Sequence, residues 1–474
     1  MHSFAPSVSE LHVVLGLVVA LPAITGLVLG VAMLARRTPS EAAIGRLVSW
    51  AIGLSTALSV ALTGSWIALG ARARDVHLAT WFAVPGHAFT IGALLDGLSL
   101  TMTLVTNVIC FLVARFSIRY LHREPGYARF FLLLCVFTTG MHVLVLAGSY
   151  DLLFVGWELV GLASVLLIAF FSHRSGPVRG AVRAMITYRV GDVGLLVAGI
   201  LLHQAAGSAE FADAFAGGAQ DLHHAHGIAS ATTIGLVLLV AVLGKSAQLP
   251  LGGWLPRAME GPTPSSALFY GALSVHAGVY LLLRSAPLLE ASPVASAAVA
   301  IVGALSAVHA TMVARTQSDA KSLLAYATIT QVGLMLVEIG LHLWTWALVH
   351  MVAHAFLRLL QLLRTPSALR DAQEIRAALA ATPTPRPSLW ARVLPAPTLA
   401  WLQHLSMRRF FVDEILERFV VEPVMRASRA LDRVERHGVA ALSGWTRTSA
   451  ERAHVEPARA RVSTSPRSHE ETLP

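Results

Sequence analysis

Lysine is nearly absent from this chain. Lys245 and Lys321 are its two lysines among 36 basic residues, the rest being arginine, and Lys245 lies in the apolar run LVLLVAVLGKSAQLPL (236–251). An ammonium at mid-membrane costs roughly 2.5–3.5 kcal/mol on insertion scales, so its retention there points to use. A buried lysine can load and release a proton, whereas a guanidinium stays charged. Two spans earlier, Glu158 lies in DLLFVGWELVGLASVLLIAFF, where an unpaired carboxylate is protonated or strained. Pairing Glu158 with Lys245 keeps both charged, and separating them drives the lysine's proton onward. The run ALVHMVAHAFLRLLQLL adds His350 and His354 at i, i+4 and Arg358 one turn further, three polar groups along one side of a helix. Imidazoles suit proton passage near neutrality, and the absence of a glutamate between them separates this helix from the zinc motif H-E-x-x-H. The chemistry these types and spacings suggest is a proton relay. A static ion pair is the weaker explanation, because buried pairs stabilise less than apolar packing does.

Around Lys245 the chain reads G-K-S-A-Q-L-P-L, and Pro250 removes a helical donor, so the helix breaks near the lysine. Broken helices at membrane depth occur inside protein or beside a hydrated cavity. G-P-T-P at 261–264 restarts the chain as an eighth span holding Tyr270 and His276. Six residues are about 600° of helical rotation, so these two do not share a face. At most one of them meets the Lys245 cavity, and His276 reads either as relay or as packing. Glu338 and His309 are candidate partners in neighbouring spans, and Arg358 has an alternative reading as a topology anchor that snorkels to the interface. Cys110 and Cys135 fall within apolar spans without a C-x-x-C partner, which argues against a cluster, a zinc site or a disulfide. The loop with His223, His224 and His226 lacks a spaced acidic or thiolate ligand and reads as polar loop, not metal site. No dinucleotide or nucleotide loop motif occurs. The chain is therefore expected to carry neither metal nor cofactor.

These residues must be positioned by membrane helices. With 55% hydrophobic residues, 13% charged residues and a mean hydropathy of +0.64, the composition is that of a polytopic membrane protein. Stretches long enough to cross ~30 Å of hydrocarbon predict eleven spans, near 11–34, 47–70, 98–119, 129–148, 151–171, 181–203, 229–251, 264–284, 293–314, 322–341 and 343–364. No basic n-region or cleavage site marks a signal peptide. One set of connections holds Arg36, Arg37, Arg46, Arg115, Arg119, Arg123, Arg129, Arg174, Arg179, Arg183, Arg257, Arg315 and Lys321, and the alternate set holds Arg72, Arg74 and Arg284. By the positive-inside rule, the N-terminus faces the periplasm and the C-terminus the cytoplasm of a bacterial inner membrane. The net charge of +9 is then largely a topology signal, and nucleic acid is not an expected partner. Residues 365–406 read as a Pro-rich linker, 407–444 as an amphipathic helical segment kinked at Pro423, and 445–474 as a disordered tail.

The run LLDGLSLTMTLVTNVICFLVARFSIRYLHREPGYARFF (94–131), with GWELVGLASVLLIAFF, YRVGD, KSAQLPLGGWLPRAMEGPTPSSAL, DAKSLLAYATITQVG and HMVAHAFLR after it, resembles the proton-translocating antiporter-like membrane subunit superfamily, and within it the L subunit of respiratory complex I. The resemblance implies an all-α membrane fold of about eleven helices: three N-terminal helices over 1–128, a first five-helix repeat over 129–284 and a partial, inverted second repeat over 285–364. It also implies that Glu158 is the family's ion-paired glutamate, Lys245 the lysine of the first broken helix, Arg189 and Asp192 the charges of R-V-G-D, and Lys321 the entry to the next helix. Tyr270 stands where the family has a histidine, and Arg358 where it has a lysine. The second broken helix is not found before the linker, so a partner is expected to complete the outer repeat. The F-V-D-E-I-L start of the segment at 407–444 is similar to one near the end of the L subunit. Three functions are implied. The first is a proton-translocating subunit of a complex-I-like NADH:quinone oxidoreductase, with NADH, FMN, iron–sulfur clusters and quinone held by membrane and peripheral partner subunits. The second is a proton-driven membrane subunit of an inorganic carbon transporter with a soluble zinc-binding partner. The third is a non-pumping scaffold.

Overall fold

In the computed structural model the described residues are 8–84, 87–216, 229–365, 377 and 395–443. Membrane-length helices dominate: α1 Val8–Leu34, α2 Glu41–Ala68, α3 Gly97–Tyr120, α4 Tyr127–Leu146, α5 Tyr150–Ile168, α6 Ser175–Ala206, α8 Thr263–Arg284, α9 Pro293–Ala314, α10 Ala320–Gly340 and α11 Trp344–Leu363. Between α6 and α8 lies the shorter α7, Ala231–Lys245. Among the described residues ten helices are long and apolar enough to cross a membrane, and α7 is a shorter apolar helix. Polar caps set many starts: the side chains of Ser40, Ser149, Ser230, Ser292 and Asp319 accept a backbone N–H of the first turn of α2, α5, α7, α9 and α10. Gly207, at φ 74°, ends α6 in the left-handed conformation that glycine tolerates.

The seventh span breaks at the lysine, as its sequence predicts. It stops at Lys245, and the chain then turns through Ala247 at φ 53° and a cis Leu249–Pro250 bond. α8 is also irregular, with a π-helical stretch Ser266–Ala272 and a 3-10 turn Ser274–His276 before Ala277–Arg284. Every residue of its apolar window is buried, so α8 forms the axis of the bundle. α9 and α10 meet backbone to backbone: a Cβ added at Gly303 would lie 2.5 Å from the Gly333 carbonyl oxygen, and one at Gly333 2.6 Å from that of Gly303. Small residues at such crossings gain dispersion contact that lipid cannot supply.

Among the described residues one hairpin departs from the helical pattern. β1 (Arg74–Val84) and β2 (His87–Leu95) form an antiparallel hairpin, tied to the bundle by an Ala93–Ala147 bridge and by the Gly148 N–H donating to Gly92 O at 3.0 Å. Beyond the bundle's long helices, α12 (Ala396–Met407) occupies part of the stretch read as linker and touches α9. The linker expectation is corrected there; residues 366–376 and 378–394, the loop histidines at 223, 224 and 226, and the tail lie outside the described residues. The chain divides at Phe411 into two units. In the second unit, α13 (Glu422–Ser443) carries Pro423 in its first turn, after a π turn at Glu417–Val421, and its Val424, Leu431 and Val434 are exposed.

The hairpin leads directly into the Asp96 cap of α3, where Asp96 and Ser99 form a reciprocal capping box. Asp96 is also clamped by Arg284 at the end of α8, whose guanidinium reaches both carboxylate oxygens and donates to Tyr280 Oη at 2.9 Å. Tyr280 in turn donates to Val145 O on α4 at 2.7 Å. Burial alone would raise the Asp96 pKa, but Arg284 and Ser99 outweigh it and hold the carboxyl below its usual range. A depressed folded value contributes stability above the unfolded pKa near 3.9, which is lost as pH falls through the folded one. Thermal unfolding in detergent should therefore show this contribution intact at neutral pH and fading below about pH 4. Arg284→Ala should cost ~3–5 kcal/mol by leaving Asp96 unpaired, and adding Asp96→Asn should recover part of the loss.

Candidate functional site

The end of α7 delivers Lys245 into a nearly dry enclosure, 1% exposed. Its Nζ donates to Trp157 O on α5 at 2.8 Å and lies 4.8 Å from the ring centroids of both Trp157 and Tyr188. Gly161 leaves the necessary room, since a Cβ there would come within 3.0 Å of Nζ. A carbonyl and two π-faces are what this ammonium touches, a cation–π setting that counts for most where water is excluded. Trp157 has a second function in the same position: its Nε1 donates to Asp192 Oδ1 at 2.7 Å. Arg189, one turn before Asp192 on α6, forms an ion pair with Asp192 at 2.8 Å and donates a hydrogen bond to Glu158. The groups thus form one line, Glu158, Arg189, Asp192, Trp157 and Lys245.

This corrects the expected Glu158–Lys245 pair. The partner of Glu158 is Arg189, and the lysine is reached through Asp192 and the Trp157 indole. The signal was present in the sequence, because Arg189 and Asp192 stand at i, i+3 and so share a helix face. Trp157 and Tyr188, by contrast, were not singled out from sequence. Tyr270 joins the lysine through aromatic contacts: Tyr188 meets Trp254 edge-on at 4.9 Å, Trp254 meets Tyr270 at 5.6 Å, and Tyr270 Oη lies 3.4 Å from Ser164 O.

The backbone freed at the break is closed by side chains. Trp254 Nε1 donates to Gly244 O at 2.9 Å, Leu249 N donates to Ser306 Oγ at 2.9 Å, and Gln248 Nε2 donates to Ser246 O at 2.8 Å. Lys321 serves the same segment, with Nζ 3.3 Å from Gly261 O. Ser246, next to the lysine, donates to Val275 O at 2.6 Å. That bond links the lysine's break to the histidine of α8.

His276 sits against His354, in the second cluster. Its Nδ1 faces Ala272 O at 2.8 Å, and its Nε2 lies 3.0 Å from His354 Nδ1. A carbonyl accepts only, so His276 Nδ1 carries hydrogen; with both rings neutral, His354 Nδ1 donates to His276 Nε2, and His354 Nε2 accepts from Arg358 at 3.3 Å. The chain of donors runs from Arg358 through His354 and His276 to Ala272 O. Arg358 is buried at 5% exposure and donates to Gln361 Oε1 at 2.8 Å, which corrects the reading of it as a snorkelling anchor. His350, one turn before His354, bonds Glu338 Oε1 at 2.8 Å and Gln331 Oε1 at 2.9 Å. Glu338 is thus a partner as foreseen, whereas His309 contacts Arg409 O at 3.2 Å. His142 on α4, wholly buried with no hydrogen-bond partner for either ring nitrogen, was not singled out from sequence. Among the described residues no cluster of three metal-ligating side chains occurs.

A bundle of membrane-length helices, one of them broken around a buried ammonium that continues into carboxylates and paired imidazoles, defines a helical membrane protein organised on an internal charge line. Residues 147–381 match the family described as NADH:quinone oxidoreductase/Mrp antiporter, TM, and residues 81–131 the N-terminus of NADH-ubiquinone oxidoreductase (complex I) chain 5. NADH-ubiquinone oxidoreductase chain 5 of Metridium senile is 41% identical over 288 residues, 60% of this chain and 47% of that protein. NADH-quinone oxidoreductase subunit L of Escherichia coli (strain K12) is 37% identical over 318 residues, 67% of this chain and 52% of that protein. The structure of the Mrp complex from Dietzia sp. DQ12-45-1b contains a chain that superposes with TM-score 0.63 at 26% identity, covering 85% of this chain and 43% of its own. The chain belongs to the antiporter-like membrane subunit superfamily. It spans about half the length of the curated relatives it matches.

The charge line makes the two cations unequal. Arg189→Met strips Glu158 and Asp192 of their shared partner and should cost about 1–3 kcal/mol in thermal unfolding. Lys245→Met, a swap of similar volume that leaves both carboxylates on Arg189, should cost under about 1.5 kcal/mol.

Proposed function

We propose that the chain is the proton-translocating membrane subunit of a complex-I-like NADH:quinone oxidoreductase, in which Lys245 carries the proton. One observation carries the reading: the ammonium is buried among a carbonyl and two aromatic faces, while the adjacent carboxylates are held by Arg189. An ammonium used for stability would be matched by a carboxylate in contact. Here Arg189 is shared between Glu158 and Asp192, so a shift of its guanidinium toward one acid bares the other and changes the field on the lysine. Glu158, Arg189 and Asp192 then set the field, Lys245 loads and releases, and His276, His354 and His350 receive onward, with Tyr270 and Lys321 shaping the walls.

Relatives from NADH-oxidising and Mrp complexes favour this reading over an inorganic carbon transporter. NADH, FMN, iron–sulfur clusters and quinone would reside in partner subunits. The arginine-rich connections support a cytoplasmic C-terminus in a bacterial inner membrane. Arg358 favours a second reading, a non-pumping scaffold, because a guanidinium beside His354 opposes a second proton there.

The tagged chain, gently solubilised from its host, should co-purify with quinone-reductase subunits and NADH:quinone activity. A large soluble metal-binding partner without redox subunits would replace the leading reading with the carbon transporter. In vesicles of the assembled complex, Lys245→Met and Lys245→Arg should both lower NADH-driven proton uptake by at least about 100-fold, the scale of a lost acid–base group. Unchanged uptake with intact assembly would leave the scaffold.

A further inference from the structure

Away from the charge line, the hairpin overhangs the outer faces of α5 and α6 and leaves a cleft of about 820 Å³, lined by Phe82, Phe89, Ile91, Leu152, Leu196 and Ile200 among others. Its walls are almost wholly apolar. Trp81 stands at its mouth, 70% exposed, the amphipathic type that favours the membrane–water boundary. At the hairpin end the cleft shares Thr90, Asp151, His203 and Ala209 with a smaller polar pocket of about 140 Å³ that also holds Glu210 and Asp213. This end is built. Glu210 Oε1 accepts from Thr90 Oγ1 at 2.9 Å, its backbone N–H donates to Ser208 Oγ at 3.1 Å, and a Ser149–Glu210 bridge pins the segment to the start of α5. It also carries concentrated negative charge: partial burial together with Glu210 and Asp213 pushes the carboxyl of Asp75, beyond the pocket lining, above its ordinary pKa, which the Val76 N–H and His77 offset only in part.

An apolar cleft facing lipid has no preference for hydrocarbon of one kind, since lipid tails are as apolar as leucine. Selection must therefore come from the polar end, and crowded carboxylates select a cation. We propose that the cleft seats an aminophospholipid, its acyl chains against α5, α6 and the hairpin and its primary ammonium at Glu210 and Asp213. The cleft lies within the size range of small-ligand sites, roughly 300–1,000 Å³. An ammonium there relieves the mutual repulsion of the acids, whereas the phosphoglycerol head of an anionic lipid adds to it.

The test uses the full chain in detergent, exposed to an equimolar mixture of phosphatidylethanolamine and phosphatidylglycerol and read by native mass spectrometry. Wild type should retain the ethanolamine lipid preferentially. Glu210→Gln with Asp213→Asn should reduce that preference about tenfold, the scale of one charge-assisted hydrogen bond, while the thermal midpoint reports that the fold persists. Gly199→Leu should displace both lipids by filling the cleft; an added Cβ at Gly199 meets Tyr150 Cβ at an ordinary 3.7 Å, so the helix tolerates the change. Equal retention of the two lipids by wild type, a preference for phosphatidylglycerol, retention indifferent to Gly199→Leu, or a partner subunit cross-linking through Trp81 in place of lipid would each overturn the proposal. The wild-type competition decides without any variant.

Discussion

Breaking a helix in hydrocarbon frees backbone donors and acceptors that lipid cannot satisfy, and the centre of this molecule is arranged around that constraint. Each group exposed by the end of α7 at Lys245 must be met from within the protein. The Trp254 indole closes on Gly244 O, Ser306 receives the Leu249 amide, and Lys321 caps Gly261 O. These are side chains of the segment after the break and of α9 and α10. The break therefore dictates which helices crowd around it, and why α8, threading between them, is buried along its whole apolar window. The irregular turns of α8 belong to the same solution, because Val275 O is taken by Ser246 and Ala272 O by His276.

The charges follow from the same enclosure. Removing water from Lys245 makes any neighbouring charge act strongly, so the carboxylates near it need a cation of their own. Arg189 supplies it from α6 and is about half exposed while Asp192 is nearly covered. The guanidinium therefore sits where the protein interior meets the outside of the bundle, and the indole of Trp157 carries the connection inward. A tryptophan suits this place because its ring face receives the ammonium while its N–H serves the acid, with no added charge.

The spans, the break and the stacked histidines were legible because each rests on a local rule: twenty apolar residues, a proline after a polar run, polar side chains at i, i+4. Arg189 with Asp192 was legible by the same logic. The Asp96–Arg284 clamp joins residues 188 positions apart and leaves no local trace. The hairpin was hidden for a different reason, since its register shifts between His77 and Ala79 and again between Thr80 and Phe82, breaking the alternation by which a strand is recognised. The Glu158–Lys245 pairing failed because opposite charge in neighbouring spans says nothing of which third residue intervenes. α12 failed because Pro395 and Pro397 suggested a linker, although proline is at home in the first turn of a helix.

The donor chain from Arg358 through His354 and His276 to Ala272 O has a direction, and direction matters for what it can carry. An arginine cannot give up the proton it offers to His354, so a proton entering this pair by way of Arg358 is excluded while that bond stands. Entry through His276 requires its Nδ1 hydrogen to leave Ala272 O, and that carbonyl belongs to the π-helical stretch of α8. Reversing this donor chain therefore requires either α11 or α8 to yield. The second of these is coupled to the lysine through Ser246 and Val275. The segment that closes the break and the imidazole of His276 thus meet on one irregular helix, where the Ser246–Val275 and His276–Ala272 bonds lie side by side.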